Sequence, residues 1–106
     1  MPRVNTRECA PMISTRTPFT SHGAITGGQD RENYVVRSYS TPILVINTDT
    51  RTATLNETRY SVTTSRHQAQ ARLALREFEE LGYKIARVND KEEFETLTGY
   101  SIARHW

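Results

Sequence analysis

Cysteine is almost absent from this sequence, with Cys9 alone among 106 residues. A single thiol excludes an internal disulfide and a cysteine-based metal site, and it fits a reducing, cytosolic setting. Long apolar runs are missing as well. None approaches the roughly 18 residues of a membrane span, and no signal-peptide core is present, so no membrane association is expected. Histidine is sparse and scattered, since His22, His67 and His105 show neither HxH nor HExxH spacing. The one glycine pair, Gly27 and Gly28, lacks the following lysine and the strand context of a phosphate loop. Glu79 and Glu80 are adjacent, so on a helix they point in different directions. Cys9 lies in a segment expected to be flexible, where a nucleophile has no fixed base. The expectation is a protein that is not an enzyme and that holds no cofactor and no metal.

The hydrophobic share, 36%, is low, while the charged share, 25%, is ordinary. A chain of 106 residues with this composition supports one domain with a small core, diluted by a poorly packed segment. The net charge of +2 is too small to imply a polyanionic partner by itself. Its distribution is more informative. Residues 34–76 carry six arginines (Arg37, Arg51, Arg59, Arg66, Arg72, Arg76) against Asp49 and Glu57, whereas residues 77–106 carry seven acids against four bases. Twelve of the fourteen basic residues are Arg, a bias that GC-rich coding produces and that also suits bidentate contacts with phosphate or carboxylate.

Residues 1–33 hold three of the four prolines and are broken by Gly23, Gly27, Gly28 and Asp30. They read as a flexible N-terminal arm, with at most a short ordered patch near Met12–Ile13 or Phe19. The ordered domain is expected to span 34–106. "YVVRSYSTPILVIN" predicts strands at about 34–40 and 43–47, with Pro42 at a break, bulge or edge. "NTDTRT" predicts a turn, and a third strand follows at about 52–57. Ala71, Ala74, Leu75, Phe78 and Leu81 recur at helical spacing. Ser65 as N-cap, Gln68 three residues on and Gly82 after Leu81 place this helix at about 66–81. Arg76 and Glu80 are spaced to pair on its outer face. "YKIARV" predicts a fourth strand. A short helix over "NDKEEFETLTG" is capped by Asn89 or Asp90 and ended by Gly99, with Phe94 and Leu97 inward. Trp106 would plug the end of the chain or stand out from it.

The stretch "YSVTTSRHQ", residues 60–68, supports two readings. Serine and threonine before a helix are ordinary capping chemistry. The same residues, with unpaired helix N–H groups and a positive dipole end, also make an anion cradle. Thr63, Thr64, Ser65 and Arg66 would supply it, with Arg37, Tyr39 and Arg59 from the expected sheet. Tyr34 and Val36 share one strand face, and Val35, Arg37 and Tyr39 the other. His67 falls on the helix face of Ala71, Ala74, Phe78 and Leu81, and so points at the sheet. Arg66, Gln70 and Arg72 lie away from that face.

Ser38, Tyr39, Thr41, Pro42 and Ile43 form an SYxTPI stretch. Arg59, Tyr60, Ser61, Thr63, Thr64, Ser65, His67 and Gln68 form an R-YSxTTSxHQ stretch. Together these resemble a family of small proteins encoded by actinobacterial phages and related microbial genomes. The resemblance covers roughly residues 34–80, and it implies a phage or mobile-element origin rather than a mechanism; with the single cysteine and the lack of a membrane span, the expected location is the host-cell cytoplasm.

The sequence thus predicts an α+β domain. Its three- to four-stranded antiparallel sheet packs on one long helix in a β-β-β-α core, with a short C-terminal helix and the flexible arm. Two functions follow as expectations. One is a small phage accessory protein that binds nucleic acid through Arg37, Tyr39, Arg59, Thr63, Thr64, Ser65 and Arg66. The alternative is an interaction module that binds and modulates a host protein through the acidic segment 77–95 or the arm. A structural role in a virion is a third class.

Overall fold

The computed structural model describes residues 3–102. Its centre is a mixed sheet of six strands in sequential order. The strands are β1 (Phe19–Ser21), β2 (Ile25–Asp30), β3 (Asn33–Ser38), β4 (Thr41–Asn47), β5 (Thr52–Asn56) and β6 (Lys84–Val88). The first five form an antiparallel meander, and β6 lies parallel to β5. Helices α1 (Cys9–Ser14) and α2 (Val62–Glu80) cover one face, and α3 (Lys91–Thr98) covers the other. The α+β class holds. The sheet is larger than expected, and its last strand runs parallel rather than antiparallel. The physical reason is the connection: α2 is 19 residues long and rises about 28 Å, which carries the chain back to the starting end of β5.

Residues 3–33 are not a flexible arm. Cys9 and Ile13 of α1, Phe19 of β1 and Ile25 of β2 are all fully buried in the main core. The radius of gyration, 12.4 Å, is close to the ~13 Å of a compact chain of this size. Gly27 is needed here rather than disruptive. A Cβ at this position would collide with the Phe19 ring and the Tyr34 hydroxyl, which cross over it. Tyr34 then donates to Thr17 O at 2.6 Å, tying β3 to the loop before β1.

Pro42 marks a bulge, as its missing N–H requires. The ladder runs Val36↔Leu44 and then Arg37↔Pro42, so Ile43 is the extra residue, and it is buried. Tyr34 and Val36 do face the main core, and Val35 faces the second one with Val45, Val88, Phe94 and Ile102. With helices on both faces, β4 is buried at every position from Thr41 to Ile46.

Helix α2 starts earlier than expected. Ser61, not Ser65, is its N-cap: Ser61 is extended, and its Oγ accepts from Thr64 N at 3.1 Å. Ser65 N already donates to Ser61 O at 2.9 Å, a bond inside the first turn. The helix ends as predicted at Gly82, whose φ is 85°. Gly82 N donates to Glu79 O and Tyr83 N to Phe78 O, and the Phe78 and Tyr83 rings meet edge to face at 5.0 Å. That pattern is a Schellman stop with its apolar contact. Leu81 lies outside the apolar stripe and is half exposed, and no Arg76–Glu80 pair forms among the described residues. Asp90 caps α3 by accepting from Glu92 N, and Gly99 closes it with φ 78°. Phe94 points inward as expected, while Leu97 is 56% exposed. Trp106 lies outside the described residues.

Candidate functional site

The two motif stretches meet at one end of the sheet. Ser38 ends β3, directly below the first turn of α2. Its Oγ lies 2.9 Å from Thr64 Oγ1 and 2.7 Å from His67 Nδ1. Thr64 Oγ1 also accepts from Ser61 Oγ at 3.2 Å. One turn further on, Gln68 Nε2 donates to Asn56 O at 2.6 Å and to Thr58 O at 3.0 Å. Asn56 in turn donates through Nδ2 to Pro42 O and to the Tyr60 hydroxyl. Ser38, Thr64, His67, Gln68 and Asn56 are all buried. This chain of bonds joins β3, β4 and β5 to the helix start, and it satisfies polar groups that the core would otherwise leave unpaired.

His67 belongs to this lock. It is 3% exposed, and burial pushes its imidazole below the usual pKa. The ring is therefore neutral near pH 7. A serine hydroxyl 2.7 Å from an imidazole has the spacing of a nucleophile and its base. Ser38, however, has no exposed surface and shares its hydroxyl with Thr64, so no substrate reaches it.

The seven candidate site residues do not form one patch. Thr64 is fully buried in the lock. Arg37 sits on the opposite sheet face, over the Tyr100 ring at 5.8 Å and 3.7 Å from Asp30. Tyr100 donates to the same Asp30 at 2.9 Å, and burial raises its phenol. Tyr39 does not share that face with Arg37, because it has left the strand. It sits in the β3–β4 turn with φ 57°, half exposed, its ring 6.1 Å from that of His67. Tyr39, Arg59, Thr63, Ser65 and Arg66 remain accessible at the α2 end of the sheet. Arg59 and Arg66 enter no ion pair among the described residues. Of the expected outward helix residues, Gln70 is engaged by Ala10 N of α1, and Arg72 pairs with Glu57 at 3.2 Å.

Ser38, Ser61 and Asn56 carry much of this end of the fold but were not singled out from sequence as a linked set. The available signal was the placement of small polar residues at strand ends and before a helix, where local side-chain bonds form. Cys9 is buried in the core, its Sγ bonded to Asn5 O at 3.6 Å, and burial raises its thiol pKa. Among the described residues no group of three or more His, Cys, Asp or Glu side chains could hold a metal ion. No helix among them is long and apolar enough to cross a membrane.

The model of a protein family described as a family of unknown function (DUF8033) matches residues 8–95, from the residue before α1 into α3. No curated protein and no solved structure matches the chain.

Proposed function

The chain belongs to that family of unknown function, and we propose that it binds nucleic acid, as a small phage accessory protein of the host cytoplasm; the geometry of the α2 end supports the binding, and the sequence resemblance alone supports the phage setting. The contact surface is the α2 end of the sheet, reduced from the expected seven residues to Tyr39, Arg59, Thr63, Ser65 and Arg66. One observation carries the reading. Two arginines without ion-pair partners among the described residues flank the start of a 19-residue helix, beside a half-exposed tyrosine. The helix end attracts phosphate, the guanidiniums add charge, and the ring offers a stacking face. Arg37 is left out, because Asp30 neutralises it on the other side of the sheet.

Fluorescence anisotropy of labelled single- and double-stranded DNA and RNA across a salt series tests this. Binding near or below about 1 μM that weakens steeply with salt is expected. Arg59→Ala with Arg66→Ala should weaken binding and lower the salt slope by roughly 1.4 for single strands or 1.8 for duplex. Arg37→Ala should leave both unchanged. Unaltered binding in the double variant, or no binding at low salt, removes the site.

A second reading, an interaction module for a host protein, draws on Val62 and Leu73, which are 73% and 48% exposed on α2. One stoichiometric host protein that survives nuclease treatment, together with no nucleic-acid binding, would favour it.

A further inference from the structure

The two edges of the sheet differ. The β1 edge is three residues long and is covered by the chain before α1, where Arg3 bridges Thr20 and Val4 N donates to Thr20 O at 3.0 Å. The β6 edge is five residues long, and among the described residues nothing pairs with its outer side. Lys84 N donates to Arg51 O and Val88 O accepts from Glu57 N, so Lys84, Ala86 and Val88 turn their backbone groups toward β5. By alternation, the N–H and C=O groups of Ile85 and Arg87 point outward, unpaired.

The two flanks of this edge differ, and one of them is basic. On the α2 side lies a groove of about 630 Å³ lined by Ala69, Arg72, Leu73, Arg76, Glu79 and Arg87, three cations against one acid. Arg87 is held only loosely by Glu79 at 3.8 Å, and Arg76 has no ion-pair partner among the described residues. On the α3 side, Lys84, Ala86 and half-exposed Leu97 line a smaller cleft of about 370 Å³. A strand added here would set alternate side chains against two different surfaces, one cationic and one largely apolar.

We propose that β6 is a docking edge that takes an extended acidic segment of a partner protein as a seventh strand, with acids facing Arg76 and Arg87 and apolar residues facing Ala86 and Leu97. Backbone bonds to Ile85 and Arg87 supply affinity, and the alternation of charge and apolar groups supplies register. The same charges oppose pairing with a second copy, since two β6 edges would bring their own Arg76, Arg87 and Lys84 groups together. The surface is separate from the proposed nucleic-acid site and does not depend on it.

The probe is a fluorescein-labelled peptide of alternating Glu and Val, with its Lys–Val counterpart as control. Anisotropy should show saturable binding of the Glu–Val peptide only, and ¹⁵N spectra should place the protected amides at Ile85 and Arg87. Arg76→Glu should weaken binding about tenfold or more. Arg87→Pro and Arg87→Ala both lose the guanidinium and its Glu79 pair, and the proline additionally removes only an outward N–H, so it should fold and should bind more weakly than Arg87→Ala. Equal binding of the Lys–Val peptide, amide changes elsewhere, or retained affinity in both Arg76→Glu and Arg87→Pro would overturn the proposal. So would a dimer seen by sedimentation and lost in Arg87→Pro, or displacement of the peptide by an oligothymidine.

Discussion

Ser38 Oγ and His67 Nδ1, 29 residues apart in the chain, lie 2.7 Å from one another in the buried seam between β3 and α2. The same hydroxyl reaches Thr64, so one serine serves two helix residues at once. Ser38→Ala would leave both partners buried and short of a bond. Chemical denaturation should show a loss of about 2 kcal/mol with an unchanged slope, since the change lies in the folded state. A variant as stable as the wild type would show that these bonds contribute nothing net.

His67 should make stability depend on pH. Its folded pKa is lowered by burial, so below about pH 6.5 the unfolded chain takes up the proton more readily. Stability should be flat above that point and fall as the pH drops through it. Ser38 and Tyr39 lie against the ring. Urea midpoints between pH 5 and 8 should therefore slope less in His67→Gln than in the wild type. Equal slopes would assign the effect to other groups.

Gly27 and Gly28 are neighbours in β2 with opposite surroundings. Gly27→Ala would drive a methyl into Phe19 and Tyr34, and should cost about 1–3 kcal/mol. Gly28→Ala meets nothing within 4 Å and should be neutral or slightly stabilising. Thermal melts of the two variants check this, and equal effects would mean that the Phe19–Tyr34 crossing relaxes freely.

Tyr39 occupies a left-handed turn position that favours Gly or Asn, at a cost of about 1–2 kcal/mol. Half of its surface is exposed, so its packing returns little of that cost. Tyr39→Asn should therefore be as stable as the wild type or more so, while nucleic-acid binding weakens. Lost stability together with unchanged binding would make Tyr39 a packing residue for His67 and nothing more.

The elements most legible in the sequence are those whose information is local. Ala71, Ala74, Leu75 and Phe78 repeat at helical spacing and are all buried. Gly82 and Gly99 stop their helices because each takes a positive φ. The inward direction of His67 and the bulge at Pro42 follow from periodicity and from a missing N–H, and both are present. Other features needed the assembled fold. The first 33 residues carry no apolar period, yet Cys9, Ile13, Phe19 and Ile25 each fill a place in a core made by distant elements. Ser61 and Ser65 are equally able to cap a helix, and the contact of Thr64 with Ser38 fits a start at Ser61. Arg37 and Arg66 look alike in sequence, but opposite sides of the sheet give one an acid and leave the other without an ion pair among the described residues. Local chemistry sets where a helix starts and stops being possible and which face is apolar. Which cap is used, which edge stays open and which charges stand together are set by residues far apart in sequence, and only packing brings them into contact.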